Sequence, residues 1–145
     1  MREIATEIEI GTSANRVWQI LTDFPRFPEW NPFIRSVRGK AAEGAELKIL
    51  VEPPGKRSMV FKPRVTRVVP DQEFRWLGRL IVPGVFDGEH IFEIDPRGGD
   101  RVRFVHRECF SGVLVPVLWK SMGASIRRGF EAMNEALRKR AESEA

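Results

Sequence analysis

The chain has 145 residues, of which 42% are hydrophobic and 30% charged, and its formal net charge is +4. This balance is typical of one globular domain that buries its own core, and it excludes a disordered chain, so we predict a single domain over residues 1–145. Because acidic and basic residues alternate, no like-charge run is long enough for a nucleic-acid tail, and we expect no nucleic-acid partner.

The first part of the chain is predicted to form strands and two short helices. Alternating apolar and acidic residues predict a strand over 2–10. A helix is expected from Ala14 to about Thr22, capped by Thr12 or Ser13, and the prolines after it permit only a short second helix or a turn. Three more strands follow at 33–39, 45–52 and 57–69, the last with a bulge or exposed edge at Pro63.

The rest of the chain predicts three strands and one long helix. The strands lie at 72–81, 85–95 and 100–110. From Val115 onward apolar residues recur at three- and four-residue steps, which predicts an amphipathic helix to about Ala141. The expected fold is α+β: a seven-stranded, curved antiparallel sheet wraps around the C-terminal helix, and the first strand pairs with the last.

Nothing in the sequence indicates secretion or membrane insertion. The single cysteine, Cys109, excludes an internal disulfide and fits a reducing compartment. Residues 1–10 form no apolar signal region, and no segment is apolar over the length that a bilayer requires. We therefore predict a cytoplasmic protein, either a monomer or a homodimer.

One face of the last three strands carries polar groups among apolar ones. The alternation places Trp76, His90, His106 and Glu108 on this inner face, together with two glycines. A buried polar group costs roughly 1–3 kcal/mol unless it has a partner, so a solid core would not carry such a set. The pattern therefore predicts a lined cavity.

The turn at 96–99 predicts the register of the last two strands. Folding about Gly98 places His90 opposite His106 and also brings Glu108 opposite a glycine. The turn at 83–84 places Trp76 beside His90 in the same way. The register about Gly98 is supported by the direct pairs that it creates, three of them between opposite charges: Phe92–Phe104, Gly88–Glu108, Glu89–Arg107, Glu93–Arg103 and Asp95–Arg101.

The chain resembles the START-like (SRPBCC) superfamily of polyketide cyclases/dehydrases and lipid-transport proteins. The resemblance runs from Ile4 to Leu137, and five stretches carry it: VWQILTDF (17–24), PEWNPF (28–33), FRWLG (74–78), GEHIF (88–92) and HRECFSG (106–112). It implies a helix-grip fold with a deep apolar cavity between the sheet and the C-terminal helix. It leaves the activity open, because such folds serve carriers, receptors and enzymes.

Three interpretations of His90, His106 and Glu108 remain open. They form an internal hydrogen-bond network with Trp76, they orient a ligand, or they carry out acid–base catalysis. Their spacing matches no known metal motif, and oxygenases of the resembled superfamily hold their metal elsewhere. We predict no metal and no cofactor.

The sequence favours a protein that binds, carries or sequesters a small hydrophobic or aromatic molecule. The alternative is an aromatase/cyclase or dehydratase in which His90, His106 and Glu108 are the candidate catalytic residues. Glycines at positions 78, 88, 123 and 129 predict a cavity larger than roughly 300 Å³. The predicted ligand-binding residues are Trp30, Phe33, Phe61, Trp76, Phe86, His90, Phe92, Phe104, His106, Glu108, Met122, Ile126 and Phe130, although Trp30 is also explained as a packed residue that ends a helix.

A basic cluster lies on one predicted hairpin. It consists of Lys56, Arg57, Lys62, Arg64 and Arg67. A solvated face is the simplest explanation, and transient contact with an anionic membrane surface is the alternative.

Overall fold

The computed structural model of the protein describes residues 1–80 and 82–143. Ile81, at the end of a predicted strand, and residues 144 and 145 of the predicted domain lie outside the described residues. The strands are β1 (Arg2–Ile10), β2 (Ile34–Arg38), β3 (Lys48–Val51), β4 (Met59–Phe61), β5 (Arg64–Val69), β6 (Glu73–Leu80), β7 (Phe86–Pro96) and β8 (Val102–Ser111). The helices are α1 (Ala14–Thr22), a 3-10 helix (Phe24–Arg26), α2 (Phe27–Trp30) and α3 (Val115–Glu142).

The described strands pair in antiparallel fashion, as predicted. Five of them form one sheet in the order β1-β8-β7-β6-β5, and three form a second sheet in the order β2-β3-β4. The first strand pairs with the last strand, which confirms that prediction.

The predicted strand over 57–69 is divided in two, so the structure has eight described strands rather than seven. Pro63 has no N–H to donate to a ladder, and it separates β4 from β5. Backbone hydrogen bonds from Leu47 N to Pro63 O and from Val65 N to Ala45 O, both 2.8 Å, join the two sheets at this corner. The two sheets together form a curved surface around α3, which is the predicted helix-grip fold.

The helices begin where the sequence predicts them. The hydroxyl of Ser13 accepts the N–H of Arg16 at 3.1 Å and caps α1. In α3, Ile126, Phe130, Met133 and Leu137 are buried at three- and four-residue spacing, and this face packs on β1 and β8. Within the described ranges, no helix is long and apolar enough to cross a membrane.

The register between β7 and β8 differs by two residues from the predicted one. His90 lies opposite Glu108 rather than His106, and Phe92 lies opposite His106. The turn is centred on Gly99 because the Arg97 N–H donates to the Arg101 carbonyl at 2.9 Å. Gly98 and Gly99 both have positive φ, 89° and 60°, a conformation that glycine adopts at little cost.

The outer-face charges explain why the predicted register was wrong. Arg107 reaches Glu93 diagonally at 2.9 Å and Glu3 on β1 at 3.0 Å, so its partners do not have to lie directly opposite on β7. Arg103 and Arg101 likewise bind acidic residues of β1, Glu7 at 3.0 Å and Glu9 at 2.7 Å. The predicted register counted only direct charge pairs between β7 and β8. Because β1 also supplies partners for the arginines of β8, those direct pairs are not needed.

Candidate functional site

An apolar pocket opens between the sheets and α3. Its cavity volume is about 90 Å³, and the empty space reaches about 690 Å³ when the open mouth is included. The cavity is therefore smaller than the roughly 300 Å³ that the sequence predicts. Its walls come from β2, β3, β4, β6, β7, β8 and α3, so the pocket exists only in the folded chain.

Two of the four inner glycines do not leave open space. A side chain on Gly129 would overlap the ring of Phe33, and the indole of Trp119 lies 3.4 Å from the Cβ position of Gly123. Gly78 and Gly88 do line the pocket. The glycines of α3 thus serve close aromatic packing, which explains the smaller volume.

Eight of the predicted ligand-binding residues line this pocket. They are Phe33, Phe61, Trp76, Phe86, His90, Glu108, Met122 and Ile126. The other five lie behind the wall or beside it. Phe92, Phe104, His106 and Phe130 are fully buried in the core, and Trp30 packs edge-on against Phe27 with ring centroids 5.2 Å apart.

Sequence reasoning missed seven apolar lining residues. They are Ile34, Ile49, Val51, Pro53, Met59, Pro63 and Phe110. The alternation of Ile49 and Val51 on β3 was a usable signal, as was the position of Phe110 on the inner face of β8. The short strands β2–β4 form the wall of the pocket that faces the five-stranded sheet. Local sequence pattern does not predict where these strands pack, so it could not place them in this wall.

The polar end of the pocket is built by three adjacent strands. Trp76, His90 and Glu108 lie side by side on β6, β7 and β8, with the Trp76 and His90 rings 5.1 Å apart. The Glu108 carboxyl lies over Gly88, where a Cβ would overlap Oε2. A glycine at this position therefore makes room for the carboxyl itself.

The two histidines share one hydrogen bond although they are not directly opposite each other. Their Nε2 atoms are 2.6 Å apart, which requires one ring to donate and the other to accept. Nδ1 of His106 lies 2.9 Å from Oδ1 of Asn134, and the amide of Asn134 donates to the Thr6 hydroxyl at 2.9 Å. The predicted site did not include Asn134 on α3 or Thr6 on β1. No local sequence pattern identifies these two residues as partners of the histidines.

Burial favours the neutral forms of His90, His106 and Glu108 near pH 7. Burial is the largest cause that lowers the pKa of His90 well below its ordinary value, with repulsion from His106 second. Burial also lowers the pKa of His106 to about 3, against the opposing hydrogen bond to Asn134. The side chain of Glu108 retains 18% exposure, but it faces the apolar pocket rather than bulk water, so burial raises its pKa to about 8.

The arrangement can present one neutral carboxylic acid to a molecule in the pocket. Nδ1 of His90 lies 3.5 Å from Oε1 of Glu108, so the two groups are neighbours at this end of the pocket but are not hydrogen-bonded. Within the described residues, no group of three or more His, Cys, Asp or Glu side chains could hold a metal ion. Cys109 lies outside the pocket lining, on the outer face, as predicted.

Comparison with known proteins identifies one family. The sequence model of a family described as polyketide cyclase/dehydrase and lipid transport matches residues 1–142. A comparison with curated proteins finds no match.

Several solved structures share the fold at low sequence identity. An aromatase/cyclase, Zhui from Streptomyces sp. R1128, is 15% identical with a TM-score of 0.79, over 97% of this chain and 93% of that one. A START superfamily protein from Mycobacterium smegmatis is 24% identical with a TM-score of 0.73, over 97% of both chains. Norcoclaurine synthase from Thalictrum flavum is 16% identical with a TM-score of 0.73, over 97% of this chain and 93% of that one.

Proposed function

The chain belongs to the polyketide cyclase/dehydrase and lipid-transport family, and we propose that it binds a small, mainly apolar molecule in the pocket between the sheets and α3. The observation that carries the proposal is the composition of the wall. Every lining residue is apolar or glycine except His90 and Glu108, which lie together at one end. A flat aromatic molecule with one polar atom matches such a wall.

The neutral state of Glu108 restricts the ligand further. A protonated carboxyl neither attracts a cation nor forms an ion pair, so the polar atom of the ligand is held by a hydrogen bond. One such bond contributes roughly 0.5–1.5 kcal/mol, which corresponds to about two- to tenfold in affinity. Apolar contact with the rest of the wall supplies most of the binding free energy.

Titration with two aromatic probes tests the proposal. Naphthalene and 1-naphthol have the same ring system, and only the second can hydrogen-bond to Glu108. We expect both to bind, with 1-naphthol binding about two- to tenfold more tightly. In the variant Ile126→Trp the indole occupies the pocket, and binding of both probes is lost while the protein stays folded.

A matched control is available on the same helix. Val117 is 72% exposed on α3 and does not line the pocket. The variant Val117→Trp should therefore bind both probes as the wild-type protein does. If neither probe binds the wild-type protein, or if Ile126→Trp binds them unchanged, the pocket is not the binding site.

A second candidate function is acid–base catalysis in the same pocket. The observation that favours it is the carboxyl of Glu108, which lines the pocket and whose pKa, raised to about 8, keeps an acid protonated there at neutral pH. Cyclisation and dehydration both require such a proton transfer to or from oxygen.

Native mass spectrometry of protein purified from its own host distinguishes the two functions. A carrier returns the co-purified molecule with unchanged mass, whereas an enzyme converts it on incubation. In the variant Glu108→Gln the side chain keeps its shape but loses the acid, so a catalyst would still bind the molecule and no longer convert it. Conversion that survives Glu108→Gln would exclude Glu108 as the acid.

A further inference from the structure

The hydrogen bonds behind the pocket begin at a backbone carbonyl and therefore have a direction. The hydroxyl of Thr6 donates to the carbonyl oxygen of His106 at 2.8 Å. Its oxygen is then an acceptor for the amide Nδ2 of Asn134, 2.9 Å away. This leaves Oδ1 of Asn134, an obligatory acceptor, facing Nδ1 of His106 at 2.9 Å. Nδ1 of His106 must therefore carry a hydrogen.

That direction continues through both rings. A neutral His106 with hydrogen on Nδ1 has a bare Nε2, so the hydrogen between the two Nε2 atoms belongs to His90. A neutral His90 with hydrogen on Nε2 has a bare Nδ1, and this atom faces Oε1 of Glu108 at 3.5 Å. At that distance the two groups are not hydrogen-bonded, but the bare nitrogen attracts a hydrogen on Oε1 and repels a lone pair. With the hydrogen on Oε1, the other oxygen, Oε2, which lies over Gly88, is left as an acceptor toward the pocket.

We propose that Thr6 and Asn134 are positioning residues that fix which nitrogen of each histidine carries hydrogen, so that the pocket presents an acceptor oxygen and selects ligands with a hydroxyl group. Both residues are buried, with 8% and 2% exposure, and neither lines the pocket. They act through His106 and His90 and do not touch a ligand. The preference for a hydroxyl rests on the proposed function, whereas the direction of the hydrogen bonds is a property of the protein without a ligand.

Nitrogen NMR of the histidine rings measures the direction in the free protein. The chain has two histidines, so a ¹⁵N-histidine-labelled sample gives two ring systems and no others. A protonated and a bare ring nitrogen have well-separated resonances. We expect hydrogen on Nδ1 of His106 and on Nε2 of His90. A spectrum with the opposite forms, or with both rings in the same form, overturns the proposal without any variant.

A pair of variants at position 6 tests the cause. Thr6→Val keeps the shape of the side chain but removes the hydroxyl, so either orientation of the Asn134 amide leaves one of its atoms unpaired. The amide then no longer prefers one orientation. Both histidine rings should shift together toward a mixture of their two neutral forms, because they share one hydrogen. Thr6→Ser restores the hydroxyl and should restore the wild-type spectrum. Wild-type ring forms in Thr6→Val would show that Thr6 does not set the direction.

A third probe tests the selection of hydroxyl groups. 1-Methoxynaphthalene can only accept a hydrogen bond, whereas 1-naphthol can donate one to Oε2 of Glu108. We expect the wild-type protein and Thr6→Ser to prefer 1-naphthol about two- to tenfold, and Thr6→Val to lose most of that preference. Equal affinity for both probes in the wild-type protein refutes the selection. If no probe binds but the ring forms are as expected, the proposed function fails and the direction of the hydrogen bonds stands.

Discussion

The raised pKa of Glu108 predicts that the protein loses stability as the pH rises from 6.5 to 8. In the folded state the carboxyl keeps its proton up to a pKa of about 8, whereas its ordinary value is 4.5. Through this carboxyl the folded state binds about one proton more than the unfolded state over this interval. The free energy of unfolding therefore falls with rising pH. The two histidines act in the opposite direction near pH 6.5, because the unfolded state still binds part of their protons while the fold keeps them neutral. Their contribution is the same in the wild-type protein and in a variant of Glu108, so the difference between the two proteins isolates Glu108.

The size of the effect follows from one proton. A difference of one bound proton changes the free energy of unfolding by about 1.36 kcal/mol per pH unit. The slope weakens near pH 8, where the folded state begins to release the proton, so the contribution of Glu108 falls by roughly 1.5 kcal/mol from pH 6.5 to 8. The variant Glu108→Gln lacks this proton, so its stability should rise slightly over the interval as the histidines of the unfolded state lose theirs.

Urea unfolding at several pH values between 6.5 and 8 measures this difference. The wild-type protein and Glu108→Gln should have similar stability at pH 6.5, and the variant should be more stable by roughly 1.5 kcal/mol at pH 8. Glu131→Gln, which replaces an exposed glutamate of α3, is the matched control and should retain the wild-type slope. A difference between the wild-type protein and Glu108→Gln that stays the same from pH 6.5 to 8 would refute the assignment of a buried neutral acid.

Three further predictions concern packing, acid stability and surface charge. Gly129→Ala should destabilise the protein by about 1–3 kcal/mol, because the added methyl group overlaps the Phe33 ring. Gly123→Ala, on the same helix, should be neutral or stabilise the protein by up to about 1 kcal/mol. Urea unfolding measures both changes. In the variant Glu108→Gln, the free energy of unfolding should fall as the pH drops below 6.5, by up to about 2.7 kcal/mol per pH unit. The reason is that the unfolded state protonates two histidines that the fold keeps neutral. A urea midpoint that stays unchanged down to about pH 5 would contradict this. Reversing Lys56 and Arg57 to Glu should reduce co-sedimentation with vesicles that contain phosphatidylserine if the basic cluster contacts membranes, and equal sedimentation of both proteins would exclude that contact.

Most of the fold followed from local pattern. Period-two alternation placed the strands, and the change to helical spacing after Phe110 placed α3 over the bounds that the structure shows. Parity alone put His90 and His106 on the buried face, because neighbouring residues of a strand point to opposite sides whatever the pairing. These features depend on the chain's own periodicity and need no knowledge of the partner strands.

The register and the site depended on contacts between distant parts of the chain. A shift of two residues keeps every side chain on its face, so parity could not distinguish His106 from Glu108 as the neighbour of His90. The surface charges did not predict the register either, because acidic residues of β1 also bind the arginines of β8.

The sequence by itself therefore determined the class of fold, the long helix and the polar residues of the inner face. Only the tertiary structure decided which of those residues reach the pocket and how they are protonated. The pKa of Glu108 is raised because walls from two sheets and α3 bury its carboxyl. The direction of the histidine hydrogen bonds depends on Thr6 and Asn134, which are 128 positions apart and meet only when β1 packs on α3.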